Sequence, residues 1–185
     1  SIFGFVTNSI SIITITKCVK LHTSFGILCA CLATNNSVLL VLNSVWLESY
    51  DLSSFKKNSQ RNCIILKIGL TLWIVGIRLH LLISTNRFIA IVYPFKYLKY
   101  VTAARTTVAV GVVIFLSLLQ CSPLIIVENN WFCYDRSSIQ WSFSPSKFGK
   151  FYEAYVINLS NTIELASVFL FDVITLTYLK LNHSK

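Results

Sequence analysis

Charged residues are scarce in this sequence. They make up 12% of its 185 residues, whereas an ordinary soluble domain has about 25%. Hydrophobic residues make up 55%, and the mean hydropathy is +0.67. This composition disfavours a soluble globular domain and favours a protein embedded in a membrane.

Motifs for catalysis and metal binding are also missing. The sequence has no H-E-x-x-H, no G-x-S-x-G and no phosphate-binding loop. Its three histidines, His22, His80 and His183, lie far apart in the predicted topology, and its six cysteines include no C-x-x-C pair. We therefore predict that the protein is not an enzyme and that it has no metal site and no cofactor.

Methionine is absent altogether, and no charged segment precedes the first apolar run. The lack of a charged segment before the first apolar run indicates that there is no secretory signal peptide. The lack of methionine is typical of a fragment. The net charge of +9 comes from basic residues scattered between apolar runs rather than gathered in one stripe. This pattern predicts loops that flank membrane lipid, and it argues against nucleic-acid binding.

Five apolar runs predict helices at about 1–16, 25–47, 63–93, 106–127 and 152–179. Within the first, residues 2–16 give only about 22 Å of helix, too little for a hydrocarbon core of about 30 Å. We interpret it as the inner part of a longer helix. Within the third, residues 64–92 give about 43 Å, enough to cross when tilted. The loops assigned to the inner side carry several lysines and no acid, which supports this topology modestly.

The end of the third run carries the most specific motif. Asn86-Arg87-Phe88 and the following A-I-x-x-P-F-x-Y resemble the end of the third helix in rhodopsin-like G-protein-coupled receptors. The asparagine, with H-L-L-I-S just before it, is more similar to the nematode serpentine chemoreceptors of class x. Further similar segments, F-G-I-L-C at 25–29 and W-F-C-Y-D at 131–135, extend the resemblance over nearly the whole chain.

The resemblance implies an all-α integral membrane protein. Residues 1–185 would form a single seven-transmembrane receptor domain, truncated to about five helices, that begins within helix one and ends after helix five. The implied function is a G-protein-coupled chemosensory receptor in the plasma membrane or sensory cilium of a neuron. It would bind an unknown external small molecule within the bundle, and a heterotrimeric G protein if the full-length receptor exists. The alternative is a truncated, non-signalling receptor relic or dimerisation partner without helices six and seven.

The resemblance also implies roles for individual residues. Arg87 would hold the inner helix ends at rest and receive the G-protein tail on activation, with Asn86 where the wider family has an acid. Cys63 and Cys133 would form a disulfide between the third helix and the second outer loop. The expected site residues are the coupling motif Asn86, Arg87 and Phe88, the disulfide Cys63 and Cys133, the interhelical contacts Asn8 and Asn36, and the ligand pocket Trp73, Trp131 and Trp141.

Arg78 and Arg87, both within the third run, point in opposite directions. Trp73, His80 and Arg87 recur at intervals of seven, which predicts one helix face directed into the bundle. Arg78 points about 180° from Arg87 and lies near mid-bilayer, where an arginine costs about 2.5–3.5 kcal/mol on insertion scales. Two hypotheses remain for Arg78. It either pairs with a ligand or a neighbouring helix, or it is tolerated in a copy no longer under selection.

Overall fold

The computed structural model describes residues 2–51, 59–126, 132–135, 140–143 and 146–183 of the chain. Within these ranges the regular structure is helical apart from one hairpin, so the predicted all-α fold is confirmed. The helical elements are α1 (Ile2–Lys17), a 3₁₀ turn (Val19–Leu21), α2 (Ser24–Asp51), α3 (Ser59–Val92), α4 (Pro94–Tyr100), α5 (Ala103–Ile126), α6 (Lys147–Phe151), a π-helical segment (Tyr152–Leu159) and α7 (Ser160–His183).

The hairpin consists of β1 (Phe132–Asp135) and β2 (Gln140–Phe143), which pair antiparallel with Cys133 opposite Ser142. The sequence predicted a loop here and not a hairpin. Strand β1 packs against α3, and the ring centroids of Phe143 and Tyr152 lie 6.1 Å apart. The hairpin therefore marks one end of the bundle, which we call the hairpin end.

Four stretches in the described ranges are long and apolar enough to cross a membrane. They are Ser24–Val45, Cys63–Val92, Ala103–Leu124 and Lys147–Asn182. Each overlaps a predicted run, although the last begins at Lys147 rather than at 152. Helix α1 has 16 residues and is shorter than a full span.

Helix α3 lies at the centre of the bundle, where it packs against α2, α5 and α7, while α1 packs against α2. Two buried apolar clusters contribute to the packing around α3. The first joins α3 to α5 and the π segment through Leu66, Ile74, Cys121, Leu124, Tyr152 and Ile157. The second joins α2, α3 and α5 through Leu28, Val75, Leu79, Ile83 and Val110.

Large apolar side chains also cover the outside of the bundle. Phe115 is 63% exposed, Phe169 is 72% exposed and Ile163 is 58% exposed. A soluble monomer rarely shows so much apolar surface, because exposed patches of this kind drive association in water. Lipid tails cover such a surface without that cost, which fits helices that cross a membrane.

The connection between α3 and α5 corrects one expectation. The inner connection between the runs predicted at 63–93 and 106–127 was expected to be a loop, but the structure places helix α4 there. Tyr93 leaves the helical conformation at φ −131° and ψ 60°, and Pro94 then occupies the first turn of α4. Proline is well suited to that position because its missing N–H has no helical partner there and its φ is preset. We call this end of the bundle, which carries Lys96 and Lys99, the basic end.

Candidate functional site

Arg78 lies at mid-span in α3 and reaches two other helices. Its Nε donates to Oε1 of Glu164 in α7 at 2.9 Å, and its Nη1 donates to Oγ of Ser117 in α5 at 3.0 Å. Its Nη2 donates to Oε1 of Gln120, also in α5. The side chains of Arg78 and Glu164 are only 14% and 17% exposed. Arg78 thus pairs with a neighbouring helix, as the first of the two hypotheses proposed.

We call Arg78, Ser117, Gln120 and Glu164 the central polar cluster. Ionisable residues within membrane spans are costly, and they face the bundle interior and pair with one another. Here the opposite charges of Arg78 and Glu164 neutralise each other, and two neutral side chains accept the remaining guanidinium bonds. Removing one partner of such a buried pair typically costs about 3–5 kcal/mol, because the other charge is left uncompensated. The cluster therefore ties α3, α5 and α7 together.

Gln120 connects this cluster to the π segment. Its Nε2 donates to the backbone carbonyl of Val156 at 2.6 Å, and the hydroxyl of Tyr152 donates to the backbone carbonyl of Gln120. A π-helical stretch widens the helix and is frequent at functional sites. The contacts of Gln120 place this irregular stretch directly beside the Arg78–Glu164 pair.

Pro123 lies within α5 and leaves one backbone carbonyl of that helix without its usual N–H partner. Proline has no N–H, so it cannot bond the carbonyl of Leu119 four residues earlier. The hydroxyl of Ser122 donates to that carbonyl at 2.7 Å. A neighbouring group thus satisfies the freed carbonyl, which is how a proline is tolerated within a span.

Asn161 is buried without a hydrogen-bond partner in the described part of the chain. Its side chain lies one turn before Glu164 on α7, and the residue is 3% exposed. Neither its Nδ2 nor its Oδ1 is paired, and Oε2 of Glu164 is likewise buried and unpaired among these residues. Leaving a buried polar group unsatisfied costs about 1–3 kcal/mol. The three unpaired atoms therefore make the site less stable than it would be if each were hydrogen-bonded.

Sequence reasoning missed four of the residues that form this site. Ser117, Gln120 and Asn161 are ordinary polar residues in apolar runs and gave no signal of their own. Glu164 did give one, because it is an acid near the middle of its span, at a depth similar to that of Arg78. Opposite charges at matched depth in two spans predict a pair.

The predicted coupling motif lies at the basic end. Asn86 is 8% exposed, and Phe88 packs against Phe171 of α7 with ring centroids 5.3 Å apart. Arg87 is exposed, and its guanidinium carbon lies 5.2 Å from the centroid of the Phe25 ring. Within the described ranges no acid pairs with Arg87.

The stripe of Trp73, His80 and Arg87 is exposed in the structure, and Trp73 is 45% exposed. This differs from the expected inward-facing side of α3. The helical wheel fixes the relative directions of side chains but not which neighbours surround the helix. In the structure α2, α5 and α7 cover the other sides of α3, where Ile74 and Leu79 are almost fully buried.

The interhelical amide contact falls on Asn35. Asn35 Nδ2 donates to the backbone carbonyl of Leu72 in α3 at 3.1 Å. Asn8 instead donates to Gly4 within α1 at 2.8 Å, and in the described part of the chain no hydrogen bond joins Asn8 to Asn36. A contact between Asn8 and Asn36 therefore stays a prediction, and Asn35 is an interhelical residue that the sequence did not single out.

The remaining predicted sites lie partly outside the described residues. Cys63, at the hairpin end of α3, is disulfide-bonded. The side chains of Cys133 and Trp141 and the whole of Trp131 lie outside those residues. The pairing of Cys63 with Cys133 and the pocket role of the tryptophans therefore stay predictions.

The fold and site together define a multi-pass helical membrane protein with a buried charged centre. In the part of the chain that the structure describes, no group of three His, Cys, Asp or Glu side chains is placed to hold a metal. A family model described as serpentine type 7TM GPCR chemoreceptor Srx matches residues 1–185. The chain belongs to this family of chemoreceptors, which confirms the resemblance seen in the sequence and indicates a receptor rather than an enzyme. No curated protein matches the chain.

Proposed function

We propose that an external small molecule binds between the helices and biases the bundle toward a state that engages a heterotrimeric G protein at the basic end. Ligands shift such equilibria by binding one state better than the other. Membership of a G-protein-coupled receptor family supports small-molecule ligands and G-protein coupling in general. We place the protein in the plasma membrane or sensory cilium of a neuron, with the hairpin end outside.

The accessibility of Arg87 carries this proposal. Asn86 stands where an acid would compete for the guanidinium, and the contact of Arg87 with Phe25 is a cation–π interaction. At an exposed site such an interaction contributes only about 0.5–1 kcal/mol. A carbonyl- or carboxylate-bearing tail can therefore displace it at little cost.

Helix α4, which packs against α3, supplies apolar surface at the same end of the bundle as Arg87. Phe95 is 88% exposed and Leu98 is 79% exposed, and the lysines Lys96 and Lys99 lie between and beside them. A basic, apolar surface of this kind suits a protein partner at the membrane face.

At the hairpin end we propose that Trp73, Trp131 and Trp141 contact the ligand and that a Cys63–Cys133 disulfide fixes the outer loop above it. Three observations support this arrangement: Cys63 is in a disulfide, β1 packs against α3, and Trp73 is half exposed. The contact between Asn8 and Asn36 belongs to the same proposal.

The test measures binding of a fluorescent peptide with the C-terminal sequence of a Gα subunit to the full chain in lipid nanodiscs. We expect Arg87→Ala to weaken binding about tenfold, the loss of one charge-assisted contact. Lys20→Ala is the matched control, since Lys20 is another exposed cation at the basic end, and it should bind like the unmodified chain. If the unmodified chain neither binds the peptide nor stimulates nucleotide exchange by a G protein, the non-signalling alternative stands.

A further inference from the structure

The three unpaired polar atoms of Asn161 and Glu164 mark a place in the bundle that lacks its hydrogen-bond partners. All three are sealed from solvent, and Asn161 is 97% buried given its 3% exposure. Native proteins pair nearly all their buried polar groups. An amide with neither donor nor acceptor used is therefore a signal of something that binds there.

The chemistry of these atoms defines the missing group. In either orientation the Asn161 amide offers one donor group and one acceptor, and Oε2 of Glu164 offers a further acceptor. Residues three apart on a helix lie on the same face, so one small group can reach both side chains. A hydroxyl or a primary amide supplies a donor and an acceptor within that reach.

The charge balance of the central polar cluster excludes ionic ligands. The Glu164 carboxylate is already neutralised by Arg78 at 2.9 Å, so the central polar cluster has no net charge to offer a cation or an anion. Bringing a further charge into this depth of the membrane is costly without a partner. The polar group must therefore be uncharged.

The surroundings define the rest of the molecule. Ile157 lies one turn before Asn161 on the same face of the helix, and Ile157 belongs to the buried apolar cluster with Ile74 and Tyr152. A ligand held by Asn161 would place its remaining atoms against these side chains. Its body must be apolar.

We infer that Asn161 and Oε2 of Glu164 form a subsite for the hydroxyl or amide group of a small, uncharged, mainly apolar molecule. The inference rests on the proposed function, since it gives the chemical class of the external cue. A bound primary amide could pair with all three atoms and a bound hydroxyl with two of them, one as donor and one as acceptor, while separating α7 slightly from α3 and α5. Because the atoms are sealed in the present arrangement, binding selects the opened one.

Photoaffinity labelling tests the subsite on the full chain in nanodiscs. The probe is octanol carrying an aliphatic diazirine, and mass spectrometry locates its adducts. We expect adducts on the peptide that contains Asn161 and Glu164, competed by unlabelled octanol, and about tenfold fewer in Asn161→Leu. Asn158→Leu is the control, because Asn158 is an exposed asparagine on the preceding turn.

Matched probes test which polar group the subsite recognises. The diazirine alkane without the hydroxyl, the alkylammonium and the alkanoate should each label this peptide at least about tenfold less than the alcohol does. Equal labelling by the alkane would show that no polar group is recognised. Preferential labelling by the ammonium would show a cation site instead. Either result overturns the inference.

Thermal unfolding provides a second readout. If Asn161 has no structural partner, Asn161→Leu replaces an unsatisfied amide by an apolar side chain of similar size, and its Tm should equal or exceed that of the unmodified chain. A lower Tm in both Asn161→Leu and Asn161→Ala would assign the amide a structural bond and overturn the inference. Labelling requires no G protein, so a labelled chain that fails to bind the Gα peptide would contradict the proposed function alone.

Discussion

The guanidinium Nε of Arg78 and the carboxylate Oε1 of Glu164 lie 2.9 Å apart and join α3 to α7 at the middle of both spans. The same two helices meet again at the basic end, where Phe88 packs against Phe171. Because both contacts join the same two helices, we expect a change in the spacing of α3 and α7 at the ion pair to alter the packing of Phe88 against Phe171, beside Arg87. This relationship gives the proposed ligand response a physical route between the middle of the membrane and the basic end.

Breaking the ion pair from one side should destabilise the bundle strongly. We expect Arg78→Leu to lower the free energy of unfolding by about 3–5 kcal/mol, because Glu164 is left charged and unpaired at mid-membrane. The double variant Arg78→Leu/Glu164→Leu should recover most of this loss, since buried pairs are often replaceable by apolar residues. Chemical unfolding in detergent micelles measures both.

A control separates this pair from a general effect of charge. Glu153 lies in the π segment and makes no ion pair among the described residues, so Glu153→Gln should change stability by less than about 0.5 kcal/mol. A double variant that is as unstable as Arg78→Leu alone would show that Arg78 acts through Ser117 or Gln120 and not through Glu164.

Two glycines give a matched test of packing. A Cβ on Gly26, at the start of α2, would lie 1.8 Å from the backbone oxygen of Leu21 in the preceding turn, whereas a Cβ on Gly111 in α5 would meet nothing within 4 Å. Backbone cannot yield as a flexible side chain does. We therefore expect Gly26→Ala to reduce the yield of folded protein severalfold and to lower its Tm, while Gly111→Ala is neutral or stabilising. Equal yields of the two variants would contradict the geometry at Gly26.

The helices could be predicted from the sequence because a helix that crosses a bilayer needs an apolar run as long as the hydrocarbon core is thick. The ends were less certain, since α4 and the start of α6 depend on local turns at Pro94 and Ser146 rather than on hydropathy. Ser146 caps α6 by accepting a hydrogen bond from the N–H of Gly149 at 3.0 Å. Such bonds are short-range and leave little trace in a hydropathy pattern.

The site was harder to predict than the helices, for a geometric reason. The helical wheel correctly separated Arg78 from Arg87, but a single helix carries no information about which other helix lies opposite. Glu164 becomes the partner of Arg78 only when α7 packs against α3. The π segment adds a further error, since it changes the rotation per residue and so the direction of each side chain after Tyr152.

Neighbouring asparagines in α2 test the position of the interhelical contact. Asn35 donates to Leu72 O in α3, and Asn35 is 7% exposed, whereas Asn36 is only partly buried. Hydrogen bonds between membrane helices average about 0.6 kcal/mol and reach about 1.7. Asn35→Leu should cost an amount in this range, and Asn36→Leu should cost less. The opposite order in unfolding measurements would support the contact between Asn8 and Asn36.

The disulfide of Cys63 can be assigned by thiol counting. In a chain where Cys18, Cys29, Cys31 and Cys121 are free, we expect Cys63→Ser and Cys133→Ser each to expose one additional thiol to alkylation under non-reducing conditions. Each should lower the free energy of unfolding by about 4 kcal/mol, the entropy of closing a loop of about seventy residues. The double variant should lose no more than either single one, since both remove the same bond. Cys18→Ser, at an exposed free thiol, is the control. If Cys133→Ser behaves like Cys18→Ser, Cys133 is not bonded to Cys63 and the outer loop is not fixed above α3 in this way.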